Sequence, residues 1–244
     1  MHDENVCRKI VELLQYPQGM NLVEVGPGGG AITKYLLAKQ GINYKAIEID
    51  TEKVDYLNAT YPTIKGKIIN EDILKTRAPF DEPFTIIGNF PYNISSPILF
   101  KALEWEQNVV EIIGMFQKEV GERIACGPGS KTYGILSVLM QAFFKVSYEF
   151  EVHENCFTPP PKVKSGVLRF INIHNPHGIL DKRKFIILVK AAFNQRRKTL
   201  RNALKSTLPP VAHSHPLLDK RAEQLSVEDF VILYKLFVNN GQSE

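Results

Sequence analysis

Cysteine and tryptophan are scarce in this chain, with three and one among 244 residues. Cys7, Cys126 and Cys156 are odd in number and widely separated. That spacing excludes a disulfide framework and a cysteine-paired metal site, and it points to reduced thiols in a cytoplasmic protein. Long apolar runs are also missing. The greasiest stretch, GILSVLMQAFF, is interrupted by polar residues and too short to cross a bilayer. The start, MHDENVCRKIVELL, is charged and helix-like, so no secretory signal is expected. His174, His177, His213 and His215 lie beside prolines, which reads as loop rather than metal site; no metal is expected. Internal repeats and low-complexity tracts are absent.

One local absence carries more information. Between Lys182 and Lys205 there are nine Lys or Arg and no Asp or Glu, although the net charge is only +4. A basic surface of one sign suits phosphate as partner; the alternative is a solvated helix face. Apolar content of 44% and charged content of 23% are ordinary for a globular protein. The length suits one large domain and one small one.

What is present is an alternation of helical and strand patterns. Helix is expected near 4–16, 31–40, 52–61, 97–105, 118–126 and 133–144. Strands are expected at 20–26, 44–50, 66–72, 84–89 and 108–117, with a closing pair at 145–152 and 165–173. Such alternation predicts an α/β layer structure with a mostly parallel sheet. HNPHG (174–178) has linker composition, and the pattern beyond it is helical only. The expected domains are therefore 1–174 and a small all-helical one at 178–244. Ser226 followed by Asp229 reads as an N-cap with an acid in the first turn.

VEVGPGGGAIT lies between the first strand and a helix. Gly26, Gly28 and Ala31 fit G-x-G-x-x-A, and Glu48 ends the second strand 22 residues after Gly26. Small residues let backbone approach a ligand, and Glu48 can accept from both hydroxyls of a ribose. A dinucleotide and S-adenosylmethionine both carry such a ribose; a tight turn without ligand is the third possibility. Pro27 removes an N–H that would wrap a pyrophosphate, and Glu24 places an acid where a ligand ammonium can sit. Both favour the methyl donor. Asp72, ending the third strand, accepts from the adenine amine or caps the following turn.

The tip of the fourth strand reads GNFPYNISSP, with Asn89, Phe90, Pro91 and Tyr92. Neutral groups at a ligand crevice suit one reaction well. An adenine amine is a poor nucleophile because its lone pair is delocalised. It needs acceptors for both N–H bonds more than it needs a base. The Asn89 side-chain oxygen and the Phe90 carbonyl serve as those acceptors, and Pro91 restricts the backbone that aims the carbonyl. Tyr92 offers a stacking face worth roughly 1–3 kcal/mol per base. Methyl transfer to a base held this way is governed by position and orientation, and the base must leave its stack or be unpaired. The plainer alternative for these four residues is a turn with a packed tyrosine.

Taken together, VEVGPGGGAIT, IEID, GNFPYNISSPILFK, FQKEVGERI, CFTPPPKVKSGVLRF, FNQRRKTLRNAL and RAEQLSVEDF make the chain resemble the KsgA-type small-subunit rRNA adenine dimethyltransferases over nearly its whole length. The resemblance implies a Rossmann-like class I methyltransferase sheet with a helical C-terminal domain. It implies dimethylation of two neighbouring adenosines near the 3′ end of 16S rRNA during ribosome biogenesis, with S-adenosylmethionine as cofactor and S-adenosylhomocysteine as product. Met1, Glu24, Gly26, Gly28, Glu48, Asp72 and Asn89 are implied at the cofactor. Asn89, Phe90, Pro91 and Tyr92 are implied at the target amine, with Phe157 of CFTPP as the second aromatic wall; without the family, Phe157 reads equally as core. Lys118, Arg123, Arg196, Arg197, Lys198 and Arg201 are implied at rRNA. The small ribosomal subunit is the expected partner, and a monomer the expected state.

Two departures stand out. The family has Asn-Leu-Pro-Tyr where this chain has Phe90. The family also carries a basic Gly-Gln-x-Phe-Leu segment before the first helix. This chain opens at MHDEN, where that segment would be ending, so weaker methyl-donor and RNA binding is expected. The rival readings are a resistance methyltransferase acting on a large-subunit rRNA adenosine, a ribosome-assembly factor that acts mainly by binding, and an NAD-dependent oxidoreductase.

Overall fold

A computed structural model describes residues 1–15 and 19–239. Helix α1 spans Glu4–Glu12 and strand β1 Met20–Val25. The alternation continues with α2 (Thr33–Leu37), β2 (Ile42–Ile47), α3 (Thr51–Thr60), β3 (Ile68–Ile69) and β4 (Phe84–Asn89). Then come α4 (Ser95–Glu104), β5 (Val109–Gln117), α5 (Lys118–Ala125), α6 (Ile135–Phe143), β6 (Phe144–Val152) and β7 (Ser165–Asn172). Beyond β7 the described chain has α7 (Lys182–Asn194), α8 (Leu200–Ala203) and α9 (Val227–Asn239), with three short 3-10 turns between α8 and α9. The helix expected over 4–16 stops at Glu12; residue 16 and the tail 240–244 of the helical segment lie outside the described residues.

Seven strands form one sheet in the order β3-β2-β1-β4-β5-β7-β6. β1 pairs in parallel with β2 and with β4, and β4 in parallel with β5; β7 runs antiparallel to β5. The order reverses between β1 and β4, which opens a crevice at the carboxyl ends of those two strands. Their sequences, MNLVEV and FTIIGN, are almost entirely buried, as central strands covered on both faces require.

Some elements are shorter than their patterns predict. β3 is two residues instead of the seven of 66–72, and α2 is confined to Thr33–Leu37. β2 stops at Ile47 because Asp50 turns the chain: its carboxylate caps α3, accepting from the N–H groups of Glu52 (2.9 Å) and Lys53 (3.3 Å). Glu48 therefore stands just past the strand end.

The chain divides into two compact units. The first comprises Met1–Gly121 and Val146–Asn172; the second comprises Glu122–Lys145 and the chain from Ile173 onward. The second unit thus takes in a segment earlier than the 174–178 linker. α6 explains this, since Val138, Leu139, Met140, Ala142 and Phe143 are all buried. Phe143 meets Phe185 of α7 edge-on, Phe185 meets Tyr234 of α9, and Phe193 stacks on Phe230 at 5.9 Å. α9 starts on the expected cap. The Ser226 hydroxyl accepts from the Asp229 N–H, and the Asp229 carboxylate accepts from the Ser226 N–H, both at 3.2 Å.

Candidate active site

The crevice is built from loops that leave β1, β2 and β4. After β1 the chain turns through Gly26, Gly28 and Gly30, all at positive φ. Gly28 donates its N–H to Glu48 (3.0 Å), while the second oxygen of Glu48 accepts from the Asp50 N–H (3.1 Å). Glu48 thus ties the glycine turn to the end of β2. A cavity of about 270 Å³ opens over this turn; Met1, Glu24, Gly26, Gly28, Ile32 and Asn89 are among the residues lining it.

Glu24 is 1% exposed, and one of its oxygens accepts from Thr33 Oγ1 and from the Tyr44 phenol, each at 2.7 Å. Burial pushes the Glu24 carboxyl up to about 7, against the lowering effect of these two hydrogen bonds. Burial, the Glu24 charge and their hydrogen bond push the Tyr44 phenol far above its usual range. Glu24 lines the cavity as expected, but as a titrating group held by two hydroxyls.

A narrower cavity of about 80 Å³ lies beside the glycine turn. Glu48, Glu71 and Asp72 are its acids, and Ile49, Ile73, Pro91 and Ile94 supply apolar walls. Asp72 also caps its own turn, accepting from the Leu74 N–H at 2.9 Å. Asp72 thus caps its turn, one of its two expected roles, and also lines this cavity. The isoleucines were not singled out from the sequence. The available signal was Ile49, an isoleucine directly after the strand-end acid, which is 66% exposed.

On the other side of Asn89 is a cavity of about 330 Å³, lined by Asn89, Phe90, Pro91, Tyr92, Phe157, Pro159 and Pro161. Asn89 borders both this cavity and the glycine-turn cavity, so it forms their common wall. The Tyr92 phenol shares a hydrogen bond with the hydroxyl of Ser165, which is fully buried at the start of β7. Phe157 is half-buried and packs against the sheet core while facing the cavity.

The Phe90 ring departs from the cavity into the core. It lies edge-on to Phe116, with centroids 5.4 Å apart. Room for it comes from two glycines. A Cβ at Gly88 would lie 2.8 Å from this ring and 2.5 Å from the Val25 carbonyl oxygen, and a Cβ at Gly114 would collide with the ring outright. The larger side chain at 90 therefore leaves the backbone carbonyl at the strand tip.

The first residues of the chain connect the two cavities. Met1 lines the glycine-turn cavity. The His2 N–H donates to the Cys156 carbonyl (2.9 Å), and the His2 ring bonds Thr158 Oγ1 (3.0 Å), on either side of Phe157.

The basic residues split into two groups. Arg197 and Lys198 are exposed, as is Arg123. Arg196 donates to the Lys131 carbonyl at 2.5 Å, and Arg201 is committed to Asp219 Oδ1 and the His213 carbonyl. Lys118 pairs with Glu151 at 2.5 Å. Among the described residues, no group of three or more His, Cys, Asp or Glu could hold a metal ion, and no helix is long and apolar enough to cross a membrane.

A family model described as ribosomal RNA adenine dimethylase matches residues 1–239. Ribosomal RNA small subunit methyltransferase A of Flavobacterium johnsoniae is 50% identical, covering 99% of this chain and 94% of that protein. A dimethyladenosine transferase from Plasmodium falciparum superposes with a TM-score of 0.83 at 23% identity, covering 98% of this chain and 97% of that one. The 23S rRNA methyltransferase ErmE superposes with a TM-score of 0.72 at 21% identity, covering 97% and 98%. At those identities the two superpositions speak for a shared fold alone.

Proposed function

The chain belongs to the ribosomal RNA adenine dimethylase family, and from that premise we propose that it transfers methyl groups from S-adenosylmethionine to the exocyclic amines of two neighbouring adenosines near the 3′ end of 16S rRNA. The observation that carries this reading is Asn89, the common wall of the two cavities. A methyl transferase needs one group that sees both the donated carbon and the accepting nitrogen.

The residues of the glycine-turn side fit such a methyl donor. Glu48 and Asp72 offer carboxylates for ribose hydroxyls and the adenine amine, Ile49 and Ile73 flank the base, and Glu24 sits within reach of an ammonium. S-adenosylmethionine, when bound, supplies an electrophilic methyl on a sulfonium. On the other side, Tyr92 and Phe157 sandwich the unstacked target base. Asn89 Oδ1 and the Phe90 carbonyl accept its two N–H bonds, which turns the amine lone pair toward the first cavity. Most of the rate advantage comes from this positioning. The proton shed by the methylated nitrogen leaves to water, so the site needs no strong base. Arg197, Lys198, Arg123 and Lys118 supply cations for rRNA, and the helical segment from 178 onward docks it.

The test is mass spectrometry of rRNA from unmethylated ribosomal subunits after incubation with the protein and methyl donor. Two dimethylated adenosines in small-subunit rRNA are expected. Label confined to large-subunit rRNA would overturn this reading in favour of the ErmE-like activity, and tight subunit binding without label would favour a pure assembly factor.

A further inference from the structure

A fourth cavity, of about 250 Å³, is lined by Gln117, Lys118, Glu119, Val163 and Lys164. It shares its framework with the aromatic cavity. Pro161, two residues before Val163, lines the aromatic cavity, and Lys164 directly precedes Ser165, the partner of Tyr92. The Lys118 N–H donates to the Lys164 carbonyl at 2.9 Å, fixing the two lysines side by side. Three residue steps from Pro161 to Lys164 span at most about 10 Å.

Glu119 lines the cavity too, but the two lysines share another acid. Both lysines converge on a single carboxylate: Lys118 Nζ lies 2.5 Å from one oxygen of Glu151, and Lys164 Nζ lies 2.6 Å from the other. The hydrogen bond from Lys118, then that from Lys164, holds the Glu151 carboxyl down to about 2. The Glu151 side chain is 34% exposed and that of Lys164 is 46% exposed. Exposed pairs of this kind are weak, so another anion can displace the carboxylate. Lys ammonium groups take phosphate oxygens readily as point charges. Val163, 42% exposed, adds an apolar surface beside them.

We propose that this cavity holds the nucleotide next to the target adenosine, with Lys118 and Lys164 exchanging the Glu151 carboxylate for that nucleotide's backbone phosphate. The proposal rests on reading the chain as an rRNA adenosine methyltransferase. Glu151 is then an internal stand-in for phosphate. It keeps the two ammonium groups together when RNA is absent and competes with RNA when it is present. The same competition raises the stringency of docking, because only a strand that also fills the aromatic cavity displaces the acid profitably.

The experiment measures KM for unmethylated small subunits as a function of potassium chloride, for wild type, Glu151→Gln, Lys164→Gln and the double variant. A protein-free fragment of the small-subunit rRNA 3′ end serves as a second probe, by direct binding. Glu151→Gln is expected to lower KM about threefold, because the lysines then take the phosphate without first releasing a carboxylate. Lys164→Gln is expected to raise KM, Lys164→Arg to restore it, and the gain from Glu151→Gln to vanish when Lys164 is already Gln. A gain of the same size in both backgrounds is a general charge effect and overturns the proposal. So does an unmoved KM in Glu151→Gln, or a gain seen with intact subunits but not with protein-free RNA, which would put a ribosomal protein at the lysines. If the wild type methylates no small-subunit adenosine, the functional reading falls, and the subsite with it; normal wild-type methylation with any of the other failures sinks the subsite alone.

Discussion

The Tyr92 phenol and the Ser165 hydroxyl share a hydrogen bond, although the two residues are 73 positions apart. One belongs to the turn after β4, the other to the first position of β7. The bond holds the Tyr92 ring, proposed above as a stacking face for the target base, against β7. Ser165→Ala is expected to lower kcat/KM about fivefold, the worth of one side-chain hydrogen bond. Tyr92→Phe should cost the same, and the double variant no more, because both remove one interaction. Steady-state kinetics on unmethylated small subunits checks this, with methyl-donor KM expected to stay unchanged.

Asn89→Ala separates chemistry from docking. Losing the amide oxygen removes an acceptor that matters most when the amine is turned toward the methyl group. A loss of roughly 100- to 1000-fold in kcat is expected, by analogy with other preorganised polar groups. Affinity for small subunits, measured by sedimentation, should stay within about twofold, because the basic residues proposed to supply it are elsewhere.

If Glu24 faces the methyl donor as proposed, donor binding should depend on pH. Its carboxyl titrates near 7 in the fold, above its ordinary value of 4.5. Calorimetry with S-adenosylhomocysteine should show affinity rising as pH passes upward through about 7, when the carboxylate forms opposite the ligand ammonium; Glu24→Gln should flatten that rise. The ligand-free protein behaves oppositely. A raised carboxyl favours the fold below pH 4.5 and loses that contribution as pH climbs to about 7. Relative to Glu24→Gln, wild type should therefore lose up to about 3 kcal/mol of stability across that window in denaturant titrations.

Gly114 makes room for the Phe90 ring. Gly114→Ala should destabilise the protein by about 1–3 kcal/mol, the usual cost of overpacking. In the Phe90→Leu background the penalty should shrink, since the colliding ring is gone. Urea unfolding of the four proteins gives the coupling; equal penalties in both backgrounds would show that the ring is not what Gly114 accommodates.

The basic segment should not respond uniformly. Reversing the exposed Arg197 and Lys198 to Glu should flatten the salt dependence of RNA binding by about 1.4, or 0.7 for each lost phosphate contact. Arg201 is committed to Asp219 and His213 within its own unit. Arg201→Ala should leave the slope nearly unchanged and instead lower the melting temperature by about 2 °C. Salt-series binding and thermal melts distinguish the two groups.

Local chemistry along the chain determined the α/β alternation, the glycine turn, the position of Asn89 at the end of β4, and the cap formed by Ser226 and Asp229, whereas Glu48 and Asp72 lie one and three residues past the ends of β2 and β3. These are short-range matters, since periodicity, glycine and capping residues act within a few positions, and parallel strands bring their carboxyl ends to one edge. Only the tertiary structure decided that Asn89 divides two cavities, that Ser165 holds Tyr92, that Thr33 and Tyr44 surround Glu24, and that Arg201 pairs with Asp219 at the surface. It also placed α6 in the second unit, ahead of the linker that composition marked. Those outcomes depend on burial and on which distant partner satisfies each polar group. The sequence spells out the groups, but the choice among partners is made only when the elements pack.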